Sequence, residues 1–259
     1  MQLKGQRALV TGASSGIGDQ VARQLAAKGA DLVITARREA RLETLAEDIR
    51  KRYEVEVTVI ALDLGEPTAA GQLWDATEGQ DRPVDILVNN AGFGTQRLFV
   101  DIPWELSLQQ LQVNLLSLTE LTYRFIRSMK KRGAGHVLNV SSIGAYLPCP
   151  QFATYAAGKA YVRNFTEALA YELEGTGVRA CCLCPGGTAT EFSEVAGQSL
   201  PKVVAMTMMS SERCARIGLA ALFRGRRNIV SGLSNSFGMF LLRFVPRRLA
   251  AWIAAKVLT

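Results

Sequence analysis

A chain of 259 residues with 48% hydrophobic content and 23 glycines is long enough for one large α/β domain with a well-buried core. Its five cysteines lack metal-ligand spacing, since His136 is the only histidine, and no apolar run reaches the ~18 residues that a membrane span needs. The formal net charge is +7, but nine of the 30 basic residues and no acid fall between Arg213 and Thr259, so that tail carries +9 and the rest −2. These basic residues are interleaved with large aliphatics and no nucleic-acid reading module is recognisable, which argues against a nucleic-acid partner.

In chain order, Arg7 to Thr11 is a short apolar run ending in glycines, and Ile17, Val21, Leu25 and Ala26 then repeat with helical spacing. That reads as strand, loop and helix. Glycines at 12, 16 and 18 let the backbone approach a pyrophosphate, and the helix that opens there offers free N–H groups and a positive dipole end. The second strand, Asp31 to Thr35, runs into Arg37 and Arg38 with no acid. A carboxylate at this point suits the ribose 2′-hydroxyl of NAD, whereas arginine suits a 2′-phosphate, so the chain is expected to use NADP(H).

Glu54 to Leu62 alternates as a third strand and ends in Asp63-Leu64, and a polar helical segment follows to about Gln80. Val84 to Val88 is the fourth strand, delivering Asn89-Asn90-Ala91-Gly92. Trp104 to Arg132 reads as one long helix interrupted only by the polar Asn114. His136 to Val140 is the fifth strand, with His136 at its opening and structural, and it delivers Ser141 and Ser142. After a helix from about Thr154 to Glu172, Val178 to Cys184 is the sixth and delivers Pro185 to Thr190. Strands alternating with helices indicate a parallel, doubly wound sheet with helices on both faces and ligands beyond the carboxyl ends of its strands.

The chemistry is concentrated in Tyr155-Ala156-Ala157-Gly158-Lys159. On a helix, residues four apart share a face, so one ammonium is expected beside one phenol, favouring its ionised form and bringing an acid of ordinary pKa near ~10 closer to working pH. Ser142, thirteen positions before Tyr155, offers a hydroxyl to a carbonyl oxygen as charge develops on it. Successive strand residues point to opposite faces, so one of the two serine hydroxyls faces the substrate, and the spacing selects Ser142.

The ordered set TGASSGIG, NNAG, the helix asparagine, a serine thirteen before YxxxK, and PGGTAT resembles the short-chain dehydrogenase/reductase family over about residues 5–192. The resemblance implies a single-domain Rossmann fold with a seven-stranded parallel sheet, assembled as homodimers or homotetramers. It implies Tyr155 as the acid in carbonyl reduction, Lys159 as the group that lowers its pKa and holds the nicotinamide ribose, Ser142 orienting the carbonyl, and Asn114 holding a water in the proton relay. It further implies Gly12, Ser14, Ser15, Ile17 and Gly18 at the phosphates, Asp63 and Leu64 at adenine, Asn90 at a ribose, and Thr188 and Thr190 at the nicotinamide. Arg37, with Arg38 beside it, matches the position that marks NADP users.

The substrate is expected to be apolar and lipid-like, such as a 3-ketoacyl or steroid-type ketone. The segments that follow strands four to six supply Leu147, Pro148, Cys149, Phe152, Val195, Leu200, Met206, Met208 and Met209, with Gln96, Arg97, Gln151 and Lys202 as polar handles. A smaller carbonyl compound or a hydroxy acid is the alternative. Residues 1–235 read as the catalytic domain, with about 188–212 covering the substrate. Residues 236–259 read as an amphipathic basic and apolar extension, and a pocket cover, a subunit contact and a peripheral membrane contact all remain open for it. Similar tails accompany relatives that resemble long-chain 3-ketoacyl reductases and hydroxysteroid dehydrogenases. With no signal peptide apparent and cysteines that read as buried thiols, a cytoplasmic location is expected. No metal is expected. A non-catalytic NADP-binding regulator would have lost one of Ser142, Tyr155 or Lys159, and a dehydratase or epimerase would need a larger substrate domain than the chain has room for.

Overall fold

The computed structural model describes residues 2–78, 82–198 and 208–258. Its strands are β1 Arg7–Thr11, β2 Asp31–Ala36, β3 Val57–Ala61, β4 Ile86–Asn89, β5 Gly135–Val140, β6 Val178–Cys184, β7 Thr188–Ala189, β8 Met209–Ser210 and β9 Asn228–Val230. Seven of them form one parallel sheet in the order β3-β2-β1-β4-β5-β6-β9. Strand order reverses at β1, where the chain leaves for β2 on one side and returns to β4 on the other. A crevice opens beyond the strand ends at such a reversal.

Alternation along each strand explains why both faces must be covered. Ala8 and Val10 of β1, Leu32 and Ile34 of β2, and Leu138 and Val140 of β5 enter one core, while Leu9, Val33 and Val137 enter the other. The first core is closed by α1 (Gly16–Ala26), α2 (Glu39–Tyr53) and, much later in the chain, α8 (Ser211–Phe223). The second is closed by α3 (Ala69–Asp75), α5 (Leu118–Arg132) and the end of α6 (Ala153–Glu172). Phe125 lies fully buried at the centre of the second core, edge-on to Trp74 with ring centroids 5.0 Å apart.

One feature departs from the sequence expectation. The single helix read from Trp104 to Arg132 is α4 (Trp104–Leu111), one π-helical turn over Gln112–Ser117, and α5. The extra residue in that turn carries Asn114 inward instead of letting it continue the helical surface, a distortion that recurs at functional sites. The seventh strand is the three-residue Asn228–Val230, paired with Cys182–Cys184.

Beyond it, α7 (Phe192–Val195) lies between β7 and β8, and the chain ends in α9 (Leu233–Leu241) and α10 (Arg247–Leu258). Along α9, α10 and the 3-10 turn Leu242–Phe244 between them, the apolar residues only partly find cover. Ala250 and Ala254 are buried, but Leu233, Phe237, Phe244 and Trp252 stand 91%, 63%, 73% and 59% exposed. Among the described residues no helix is long and apolar enough to cross a membrane.

Candidate active site

The site begins with the loop between β1 and α1. Thr11 Oγ1 accepts the backbone N–H groups of Asn90 and Ala91 at 3.0 Å each, and the Asn90 amide donates to the Thr11 and Gly12 carbonyls at 3.0 and 3.1 Å. Asn90 therefore pins the glycine loop. Gly18 is obligatory where α1 meets that loop, because a Cβ there would lie 2.3 Å from the Gly12 carbonyl oxygen. Ile17 packs into the first core, and Ser15 caps α1 without a side-chain bond to it, leaving its hydroxyl for another partner. The first-turn N–H groups of α1 face outward from this loop with no helical acceptors.

That partner is Arg38. Its guanidinium donates from Nε and Nη2 to Ser14 Oγ at 3.3 and 3.1 Å and from Nη2 to Ser15 Oγ at 3.0 Å. Arg38 also donates from Nη1 to Glu191 Oε2 at 2.8 Å, and Arg41 pairs with the other oxygen of the same carboxylate. Arg37 points elsewhere: its side chain is 62% exposed and stands 4.0 Å from Asp63. Asp63 also accepts the Gly65 N–H at 2.8 Å, while Leu64 is buried and its carbonyl accepts from Ser117 Oγ at 2.7 Å.

The second half of the site stands at the carboxyl end of β5. Ser141 turns into the protein and donates to the Lys159 carbonyl at 2.6 Å. Ser142 faces the other way and accepts the Gly144 N–H at 3.1 Å, with its hydroxyl close enough to the Tyr155 phenol to favour the ionised form. Lys159 is 4% exposed, donates from Nζ to the Val140 carbonyl at 2.9 Å, and lies 5.7 Å over the centre of the Tyr155 ring. Asn114 closes the group from the π turn, with Oδ1 accepting the Phe93 N–H at 3.1 Å and Nδ2 donating to the Phe93 carbonyl at 2.9 Å.

One expectation is corrected here. Spacing alone predicts that Lys159 lowers the Tyr155 pKa, but burial dominates: it pushes the phenol up to about 12, opposed by the Ser142 hydroxyl, and pushes the Lys159 ammonium down to about 8. The phenol is therefore protonated throughout the neutral range.

Gly92 separates Asn114 from Lys159. A Cβ on it would meet Asn114 Oδ1 at 2.8 Å and Lys159 Nζ at 3.4 Å. Gly92→Ala is expected to displace the asparagine amide at a cost of about 1–3 kcal/mol, the usual range for overpacking. Thermal unfolding and steady-state kinetics should both register the change.

The rim is tied together from three loops. Gln96 N–H donates to the Ala196 carbonyl at 2.9 Å and Arg97 N–H to the Gln151 carbonyl at 3.0 Å. Phe152 and Phe192 flank the Tyr155 ring at centroid distances of 5.8 and 5.2 Å. Thr188 Oγ1 donates to the Gly186 carbonyl at 2.9 Å, and Thr190 Oγ1 accepts the Phe192 N–H at 3.2 Å. The Thr190 methyl lies over the phosphate loop, 2.8 Å from where a Gly16 Cβ would be. Leu147, Pro148 and Cys149 are half-buried nearby, with Met208 half-buried at the start of β8 and Val195 exposed; Leu200, Lys202 and Met206 lie outside the described residues. Burial raises the Cys149 thiol to about 11, and all five cysteines are free.

Residues 6–200 match the family model for short chain dehydrogenases. The chain belongs to the short-chain dehydrogenase family. A short chain dehydrogenase of Pseudocercospora fijiensis is 41% identical over 74% of this chain and 62% of its own length, so the match spans less than two thirds of that relative. Among solved structures, one of a 7beta-hydroxysteroid dehydrogenase superposes with a TM-score of 0.90 at 28% identity, covering 98% of this chain and 99% of that one. A short-chain dehydrogenase from Sphingobium yanoikuyae in complex with NADPH gives 0.82 at 27% identity, covering 93% and 97%. The dehydrogenase is thus an oxidoreductase of a family acting on hydroxyl and carbonyl groups.

Arg41 is a residue of this site that the sequence motifs do not single out, and Glu191 and Phe192, read only as part of the substrate-covering segment 188–212, have contacts there that the sequence does not give. Arg41 is hidden in a charged helical run, and Glu191 and Phe192 are brought to the site by a loop whose path has no local signature.

Proposed function

We propose that this dehydrogenase reduces a bulky apolar ketone with NADPH, with Tyr155 as the proton donor. The observation that carries the reading is the Tyr155 phenol itself, beside the Ser142 hydroxyl and flanked by Phe152 and Phe192 with Lys159 over its ring. A site with a polar centre and an aromatic wall suits a carbonyl embedded in an apolar molecule.

The residues fit the phosphorylated cofactor. Arg38 presents three donor nitrogens beside two serine hydroxyls, and the carboxylate lying on Arg38 and Arg41 supports the reading of this place as one for anionic oxygens. Gly12, Gly18 and the opening turn of α1 would hold the pyrophosphate, and Lys159, Asn90, Thr188 and Thr190 the nicotinamide ribonucleotide. When bound, NADPH supplies the hydride that reduces the carbonyl carbon.

The chain's own residues do the rest. The Ser142 hydroxyl donates to the carbonyl oxygen as negative charge grows there, and Tyr155 gives that oxygen its proton. Lys159 places a cation beneath the phenol and compensates the phenolate left behind. Asn114, by gripping both polar groups of the Phe93 peptide, fixes the strand-end loop against the site.

Residues 1–235 act in this reading as the catalytic unit, with the described parts of 188–212 beside the substrate and 199–207 outside the described residues. The exposed apolar side chains of α9 and α10 provide the contact for a second copy of the chain. The alternative for this face, a peripheral contact with an anionic membrane through Arg243, Arg247 and Arg248, is distinguished by cosedimentation with anionic but not neutral vesicles.

The test of the reaction is consumption of NADPH and NADH with a steroid ketone, a long-chain 3-ketoacyl thioester, an aromatic aldehyde and a short keto acid. Turnover of the steroid ketone or the thioester, at least tenfold better with NADPH, is the expected result. Turnover confined to the aldehyde or the short acid removes the apolar-substrate reading.

A further inference from the structure

Glu191 comes from the far end of the sheet yet lies on the two arginines that open α2, 150 and 153 residues earlier in the chain. Nothing in the reduction chemistry requires a carboxylate there. Both of its oxygens are engaged by guanidinium groups, an arrangement in which hydrogen bonds to ionised partners are at their strongest. The same Arg38 also binds Ser14 and Ser15, so the carboxylate stands within the donor cluster that the phosphate of a phosphorylated ribose would need.

Glu191 is also next to Phe192, the first residue of α7, whose ring lies against Tyr155. One short segment therefore touches both the presumed 2′-phosphate donors and the proton donor.

We propose that Glu191 is a displaceable internal anion that competes with the cofactor's 2′-phosphate for Arg38 and Arg41, and so sets the affinity of the enzyme for phosphorylated dinucleotides. The inference rests on the reading of NADPH as the cofactor. A phosphate brings more charge and a third oxygen to the same donors, so it outcompetes one carboxylate while having to displace it. The strong depression of the Glu191 carboxyl, to about 2 under the pull of Arg41 and then Arg38, means that the competing charge is present at every physiological pH. Displacement frees residues 191–195, including the ring that covers Tyr155, which links recognition of the phosphate at one end of the cofactor to access at the other.

The experiment compares wild type with Glu191→Gln by isothermal titration of NADPH, NADH and adenosine 2′-phosphate, with thermal unfolding to establish that the variant is folded. Glutamine keeps the shape and removes the charge. NADPH and adenosine 2′-phosphate are expected to bind about fivefold more tightly to the variant, the scale of two partly exposed ion pairs, while NADH changes less than about twofold. Unchanged or weaker binding of NADPH overturns the proposal, and so does equal tightening of all three ligands, which would mean general relief of negative charge. Wild type that binds NADPH no better than NADH removes the underlying cofactor reading, whereas a clear NADPH preference untouched by the substitution removes this proposal alone.

Discussion

Tyr155→Phe is expected to lower turnover by about 10³-fold, within the range that a positioned general acid contributes, while NADPH binds within about a factor of two of wild type. The substitution removes one oxygen from a ring that Phe152 and Phe192 already hold in place, so the wall of the site survives and only the proton is lost. Retained turnover would take the acid away from Tyr155 altogether. The pH dependence follows from the upward shift of this phenol. The protonated form needed for reduction persists below about 12, so reduction shows no loss attributable to Tyr155 between pH 6 and 9. Oxidation in the reverse direction needs the ionised form, which grows with pH, so its rate should climb through the alkaline range. A reduction rate that falls across neutrality with a phenolic signature would contradict the burial argument.

The second large effect concerns Arg38. Arg38→Ala is expected to weaken NADPH about 30-fold and NADH less than about threefold, since it removes charge-assisted bonds that only the phosphorylated cofactor can use. Arg37→Ala should change either cofactor by less than about threefold, because that side chain is mostly exposed and only approaches Asp63. Paired titrations of the two variants measure both. An equal loss for the two arginines would mean that the bound state draws Arg37 into the phosphate contact, and no loss in either would remove the arginine basis for choosing NADPH.

The two arginines illustrate where sequence reading stops. The pair at the end of the second strand is plain in the sequence, but which of them serves the phosphate loop depends on backbone geometry at the start of α2. Arg38 caps that helix in a non-helical conformation, which sends its side chain back toward Ser14 and Ser15. The fold was legible for a different reason. Each strand carries an apolar alternation that must be buried on two sides, as Leu9 between Ala8 and Val10 shows, and each is followed by a helical repeat. The last strand was not legible, because Asn228–Val230 is three half-buried residues without a period long enough to read.

Within the site, the spacing of Tyr155 and Lys159 on α6 specifies their shared face, but spacing carries no information about desolvation. Burial reverses the expected direction of the phenol's shift. Asn114 is visible as a polar residue between Val113 and Leu115, whereas the π turn that directs it toward Phe93 has no signature in the helical repeat. Glu191 and Phe192 follow the recognisable PGGTAT segment directly and have no pattern of their own. Their contacts with Arg38 and Tyr155 arise only in the folded chain.

Hydride is expected to pass from NADPH to a carbonyl carbon in this site while Tyr155 protonates the oxygen. The most direct measurement is transfer of label from NADPH deuterated at the transferring position of its nicotinamide ring, using the ketone best turned over by wild type. One deuterium at the carbinol carbon of a single stereoisomer, formed by wild type and reduced about 10³-fold in rate by Tyr155→Phe, is the result predicted. Product without label at that carbon, or label transfer that proceeds equally well without the phenol, would contradict it.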